Sequence, residues 1–523
     1  MDFSVTTLAE YGYEPPRPPN PIMLIATSML VGTLSLIWIR SIWRRPSHRK
    51  PHPSIPMLPG SHCVFGHLLW LLRLDFVDRQ RSILDHSDER GRCSVWLGPT
   101  LPSISLTRVE DAHKLLRNHH TRHSVPIFRY HFERLAGRNN LLMLNGREWK
   151  HYQSALKAAL SRSDPVQLQR IARGTTQTLT DNVKARINDT GGPIKVDSVE
   201  TFMKMITVDV FGRAAFSHDF GSCAELKLCP FARAFEYMEE DALDRCNKRA
   251  LLPQNLLYWI PTQRNRKFNA NRRLVRGSLA DIVQKRRQGC KKVDDILSKI
   301  IETHTDGGSA TMSDEDLIDI LLSILMAGYD TVSTALTYAI YLVAKHPEWE
   351  AKCLEEISGS NINSADTKLK LPICRGVIME ALRIYPVATA TARMLERPLA
   401  LDDDVTIPKG YHVGVSFWLI HRSERYFQDA LSFRPDRWIP NDDRRSSAIP
   451  AADPDTFFAF SGGARKCPGQ NLALTEATVV LALLVRDLKF NIDPEYEVEV
   501  EWMGIVQRPK GGIPATISIR NKQ

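Results

Sequence analysis

The sequence predicts a mainly helical chain with a smaller β region, preceded by one N-terminal membrane-spanning helix. Three stretches carry the helical part of that expectation. Residues 22–39 (IMLIATSMLVGTLSLIWI) hold no charge and are long enough to cross a bilayer core. From Leu317 to Lys345 the chain runs almost without charge, as a long and largely buried helix does. A third apolar run, Leu472 to Leu484, follows a glycine-rich turn. The β region rests on the strand-like Thr406-Ile407-Pro408-Lys409-Gly410.

At 523 residues the chain is long for one domain, though single large enzyme domains reach this size. Its 43% hydrophobic and 24% charged residues are ordinary for a globular protein. Nine cysteines form no C-x-x-C pair. An odd, scattered set argues for a reducing compartment and against a disulfide framework or structural zinc.

The elements follow in order. Trp38 and Trp43 mark the C-terminal edge of the apolar stretch, where indole rings favour the headgroup zone. Arg40, Arg44, Arg45, Arg49 and Lys50 follow it, against Arg17 alone on the other side, which places the bulk of the chain in the cytosol. A cleaved signal peptide would want basic residues before the run and a small-residue cleavage site after it, and neither is there. The reading is a signal anchor in the endoplasmic reticulum membrane, with a lumenal segment 1–21 and the span 22–39. Residues 40–60 are basic and proline-rich (Pro46, Pro51, Pro53, Pro56, Pro59), a semi-rigid linker. The globular domain is then 61–523.

Arg264 to Lys292 holds eleven basic residues and one acidic one, Asp281. They alternate with Phe268, Leu274, Leu279 and Ile282 in a helical rhythm, so a solvated helix face is expected rather than a nucleic-acid surface. Just before it, Leu251-Leu252 and Leu256-Leu257-Tyr258-Trp259-Ile260 are more apolar than a loop requires. Ser313-Asp314-Glu315-Asp316 has the pattern of a capping box. Inside the helix it starts, Ala327-Gly328-Tyr329-Asp330-Thr331 contains a glycine that costs about 1 kcal/mol relative to alanine. Either close helix packing or a deliberately thinned turn would account for Gly328. Glu380 and Arg383 share a helical face at i and i+3, and Pro386 ends that helix.

The most informative stretch is Phe460-Ser461-Gly462-Gly463-Ala464-Arg465-Lys466-Cys467-Pro468-Gly469. A thiolate at the mouth of a glycine turn, with a helix after it, suits the single protein ligand of a haem iron. Gly462 and Gly463 allow backbone angles closed to other residues and a close approach to a flat macrocycle. The helix N-terminus should lower the pKa of Cys467. A thiolate ligand pushes electron density onto iron and favours O–O cleavage.

These residues match F-x-x-G-x-R-x-C-x-G, and the segment resembles the haem-binding signature of the cytochrome P450 family. The resemblance extends over nearly the whole chain from residue 60. It implies a triangular helical prism with a smaller sheet, haem b bound between the Thr331 helix and the Cys467 loop, and no flavin in the chain itself. By the same resemblance Phe460, Gly463, Arg465 and Gly469 border the haem. Ala327 and Gly328 thin the helix over the iron, Thr331 holds the oxygen pocket, and Asp330 relays protons. Glu380 and Arg383 pair with Arg437 of the Phe433-Arg434-Pro435-Asp436-Arg437-Trp438 element. Arg393, Arg465 and Trp149 reach haem propionates. Gln153 stands where the family carries an arginine after the tryptophan, so either Lys150 or His151 supplies that charge or the propionate is held less firmly.

The implied activity is monooxygenation of a hydrophobic small molecule, fed by NADPH–cytochrome P450 reductase and in part by cytochrome b5, on a bilayer. The apolar 251–261 stretch would dip into that bilayer. Lys466 and Lys150 would make the donor-facing surface basic. Two rival classes are a haem-thiolate isomerase or dehydratase acting on a hydroperoxide without reductase, and a non-catalytic haem sensor. The Asp330-Thr331 pair speaks against both. Specificity is expected around 115–140, Met326, Val387–Ala392 and Gly504-Ile505.

Overall fold

The computed structural model describes residues 52–60, 67, 75–97, 101–122, 126–248, 258–289, 293–305, 312–362, 370–439, 451–503 and 506–520. The anchor at 22–39, most of the linker, Leu251–Leu257 and Gly504-Ile505 lie outside them.

Helices dominate, and one of them organises the rest. Ser313 and Asp316 close a true capping box: the Asp316 N–H donates to Ser313 Oγ, and the Ser313 N–H donates to Asp316 Oδ2, each at 3.1 Å. Behind it the helix runs Asp314–Leu325, passes through one π-helical turn at Met326–Asp330, and continues as Thr331–Lys345. By composition it could cross a membrane, but 83% of its apolar window is buried inside the protein. Its hydrophobicity serves the core. Val199–Phe216, Pro372–Ile384 and Gln470–Asp487 pack against it.

The Gln470–Asp487 helix begins three residues after Cys467 and is buried from Leu474 to Val485 but for one position. Apolar residues on every side mean that this helix sits inside the bundle, not on its surface.

The β structure is small. The largest sheet orders Arg92–Leu97, Leu101–Leu106, His412–Ser416 and Ala390–Met394, with one parallel pair between Leu101–Leu106 and His412–Ser416. A three-stranded sheet joins Ile194–Val196, Ala515–Ile519 and Leu488–Asn491. Thr406–Ile407 forms the expected strand and turns at Gly410, where φ is 93°.

The basic helix Gln263–Arg287 turns an apolar side inward and keeps a solvated basic face, as its rhythm predicts, and part of that face is ion-paired. Phe268, Val275, Leu279 and Val283 are buried along one side. Arg264 pairs with Asp244 at 2.7 Å, Arg276 with Asp319 at 2.9 Å, Arg286 with Asp295 at 2.6 Å and Arg287 with Asp314 at 2.5 Å. The sequence run conceals acids that arrive from other elements, so part of the basic surplus ties helices together.

Candidate active site

Cys467 hangs from a loop tied at both ends. Its N–H donates to Phe460 O at 2.9 Å, and the Ser461 N–H donates to Phe458 O at 2.7 Å. Gly463 has φ 64°, and a Cβ there would lie 2.0 Å from Leu116 O. It is therefore glycine for two reasons, a left-handed backbone and a close approach. The near neighbour is the end of the Val109–Asn118 helix. Gly462 departs from expectation: its φ of −148° is extended and open to any residue. The second left-handed residue is Ser461, at φ 58°.

The thiol is accessible, whereas Cys93, Cys223, Cys229, Cys353 and Cys374 are buried free thiols. Its pKa also departs from expectation. The Gly469 N–H, Arg122 and Lys466 do pull it down, but desolvation by the surrounding protein outweighs them and raises it. The helix terminus is therefore not the dominant influence on this thiol, and a bound metal cation would favour its thiolate form.

Three arginines gather beside it. Arg393 is fully buried; its Nε donates to His119 O at 3.2 Å, and Nη1 donates to Thr391 Oγ1 and Ala392 O at 2.8 Å each. Its Nη2 has no partner. Arg122 contributes a second buried, unpartnered nitrogen, Nε, and His120 Nδ1 is a third. Burial, then Arg122, pushes Arg393 down to about 9, and burial, then Arg122 and Arg393, pushes Arg465 to about 9. Cations that depress one another in a buried site, with donors left over, call for an anion. A ligand with two carboxylates fits this set, as the chemistry of haem propionates requires.

Arg465 is more strut than ligand. Its Nε donates to His120 O at 3.0 Å, and Nη2 donates to Leu144 O at 2.7 Å and Asn145 Oδ1 at 2.9 Å. Its guanidinium lies 3.7 Å from the ring centre of Trp149. Trp149 is buried against it in the Gly146–Ser161 helix. Gln153, in the arginine's place, donates its amide to Ala464 O at 2.9 Å and so braces the Cys467 loop. Of the two candidate replacements, Lys150 acts electrostatically on His120, whereas His151 packs edge-on against Tyr152.

On the long helix, Ala327 is exposed, and Thr331 donates its hydroxyl back to Ala327 O at 2.5 Å. A Cβ on Gly328 would lie 2.9 Å from the Phe211 ring. Gly328 thus answers to close packing with the Val199–Phe216 helix, and the small residue on the open side is Ala327. Asp330 is buried at 2% exposure, so it does not reach bulk solvent directly.

Glu380 is the centre of a satisfied buried cluster. Arg383 grips it with two bonds, Nε to Oε2 at 2.9 Å and Nη2 to Oε1 at 2.7 Å. Arg437 Nε donates to Oε1 at 3.1 Å, Trp438 Nε1 to Oε2 at 2.7 Å and the Arg434 N–H to Oε1 at 3.0 Å. Arg383 Nη1 then reaches His421 O at 2.7 Å. His421 accepts from the Phe458 N–H at 2.8 Å and stacks on Phe457. Glu380 is connected by this path to the start of the Cys467 loop.

Sequence reasoning missed Arg122 and His120, and the family resemblance included His421-Arg422 ahead of the Trp438 element without giving His421 a role. Their roles arise from contacts outside their own segments, 345 residues away for His120 O with Arg465 and 38 and 37 for His421 with Arg383 and Phe458.

A helical bundle with a small sheet, an accessible thiol on a glycine loop and a buried arginine set fits a haem-thiolate protein. The family model "Cytochrome P450" matches residues 56–514, and the chain belongs to the cytochrome P450 family. Among curated relatives, Cytochrome P450 72A15 of Arabidopsis thaliana is 31% identical over 62% of this chain and 62% of its own length. 11-oxo-beta-amyrin 30-oxidase of Glycyrrhiza uralensis is 28% identical over 62% of this chain and 61% of its own. The chain therefore spans less than two thirds of the length of these relatives. Cytokinin hydroxylase of Arabidopsis thaliana is 27% identical over 81% and 80%. The cytochrome P450DA heme domain superposes with a TM-score of 0.72, at 19% identity, over 89% of this chain and 98% of that one.

Proposed function

We propose that the protein is a membrane-bound monooxygenase of hydrophobic small molecules. The observation that carries this reading is the buried set Arg122, Arg393 and Arg465, short of anions, near the accessible thiol of Cys467. Haem b held there supplies reductive activation of dioxygen, with one atom inserted into substrate and the other leaving as water.

The chain's own residues do the rest. Arg393 and Arg122 bind the acidic edge of the cofactor, while Arg465 and Trp149 hold the loop in place. Phe460, Gly463 and Gly469 shape that loop, and Ala327 keeps the distal side small. Thr331 holds a hydroxyl proton at the open face of the helix, and Asp330 passes protons towards it. Glu380, Arg383 and Arg437 hold the framework under the loop.

NADPH–cytochrome P450 reductase is the proposed electron donor, with cytochrome b5 as a second; the exposed Lys466 and Lys150 suit an acidic partner. Anchoring in the endoplasmic reticulum membrane agrees with Trp259 and Ile260, which stand 66% and 38% exposed beside buried Tyr258. The test is NADPH consumption with purified reductase, compared with hydroperoxide turnover without it. Reductase-dependent consumption that rises with an apolar substrate supports the reading, and hydroperoxide turnover alone would replace it with an isomerase.

A further inference from the structure

Asp330 is too buried to take protons from solvent unaided, so the groups around it matter. Helix Pro230–Lys248 brings Glu236, Glu239 and Glu240. Helix Val199–Phe216 brings Glu200 and Lys204, and strand Val506–Pro509 brings Arg508. Lys204 Nζ sits 2.8 Å from both Glu200 Oε1 and Glu236 Oε1. The Tyr329 hydroxyl donates to Glu236 at 3.2 Å. Arg508 Nη1 lies 3.9 Å from Glu240 Oε1, while Nε and Nη2 are buried without a protein acceptor.

Charge does not balance in this cluster. Inside it stand four acids, Glu200, Glu236, Glu239 and Asp330, against two bases, Lys204 and Arg508. Lys204 is engaged by Glu200 and Glu236, so Asp330 and Glu239 share Arg508. Glu239 and Asp330 are 5% and 2% exposed. Among the described residues neither carboxylate accepts a hydrogen bond or forms a close ion pair. Two buried carboxylates share one guanidinium there, so a proton kept by one of them balances that trio, while Glu236, at 21% exposure, has solvent to screen the excess around Lys204. The groups acting on Glu239 decide which. Burial, then Asp330, pushes it up to about 8, with Arg508 and Lys204 pulling back and Glu236 adding to the rise.

We propose that Glu239 is a proton-holding residue one step upstream of Asp330. This rests on the reading of Asp330 as a relay. The unpartnered N–H groups of Arg508 and the two carboxylates satisfy each other through bridging water. The O–H of Glu239 breaks, a proton crosses that water, and an O–H forms on Asp330. Glu239 is reloaded from the rim, where the Glu236 and Glu240 side chains are 21% and 57% exposed.

The experiment is an infrared titration of the holoenzyme, following the carbonyl stretch of a protonated carboxylic acid. Glu476, also pushed by burial to about 8, would add a second band, so the titration is run in a Glu476→Gln background. A band present at pH 7 that disappears through about pH 8 and is absent after Glu239→Gln supports the proposal. Asp330→Asn, which removes a like charge, should move its midpoint down by on the order of one pH unit. A band unchanged by Glu239→Gln overturns the proposal. If Glu239→Gln does not fold with haem, absence of any band titrating between pH 7 and 9 in the Glu476→Gln protein overturns it equally.

Reductase-driven NADPH consumption gives the second readout. It should fall at least about 10-fold in Glu239→Gln and lose its decline above pH 8. Sensitivity to Asp330→Asn with no effect of Glu239→Gln defeats this proposal alone. Insensitivity to Asp330→Asn defeats the relay reading beneath it.

Discussion

Replacing Glu380 by alanine removes the acceptor of five donors at once: Arg383 Nε and Nη2, Arg437 Nε, Trp438 Nε1 and the Arg434 N–H. Both guanidiniums are then buried without a counter-charge. Breaking a buried pair in this way costs about 3–5 kcal/mol. The loss does not run higher because Arg383 keeps His421 O, Ala430 O and Ser432 O, while Arg437 keeps Gln428 O and Asp429 O. Against a whole-domain stability of about 5–15 kcal/mol, that is a fifth or more. The cost falls on the path from Glu380 through Arg383 and His421 to Phe458, so haem binding should fail before the bundle does. The assay is haem retained per polypeptide after purification, together with a urea unfolding midpoint. Glu380→Gln, which keeps the shape but loses the charge, should fall between wild type and alanine. Wild-type haem content in Glu380→Ala with a loss below about 1 kcal/mol would refute the reasoning.

Three further outcomes are expected. Gly463→Ala must place a Cβ against Leu116 O at positive φ, costing about 1–3 kcal/mol or more, read as a lowered melting temperature of the holoprotein. Arg122→Met should leave the haem-free protein as stable or more stable, since it relieves repulsion on Arg393 and Arg465. Haem transfer to apomyoglobin should meanwhile accelerate about 10- to 100-fold for one lost charge-assisted bond. His421 is held down to about 3 by burial, then by Arg383 and Arg422. The unfolded chain binds that proton below about pH 6.5 and the folded chain does not, so stability is full above 6.5 and declines below it. The slope is about 1.4 kcal/mol per pH unit from this group, and denaturant midpoints between pH 7 and 5 measure it, with His421→Gln expected to flatten the curve.

Much of the site was legible because it is written locally. The capping box at Ser313, the i and i+3 pairing of Glu380 with Arg383, and the loop around Cys467 each depend on neighbours within a few residues. Gly328 shows the boundary of such reading. Sequence could say that a mid-helix glycine needed a cause, but the cause is Phe211, over a hundred residues earlier. In the basic run at 264–292 the rhythm was enough for a helix with a solvated face, but not for its ion pairs, because the acids that pair with part of it come from other elements.

The sequence by itself determined the helical character, the family signature, the identity of the thiol that can hold iron, and the apolar N-terminal stretch. Periodicity, caps and short motifs act over one or two helical turns, so composition and spacing suffice for them. Only the tertiary structure decided that burial raises the Cys467 thiol against its helix terminus, that Arg122 joins Arg393 near it, and that Asp330 is buried and acts on the charges of Glu239, Lys204 and Arg508. Desolvation and charge–charge coupling depend on what surrounds a group in space, and no linear pattern of residues encodes that.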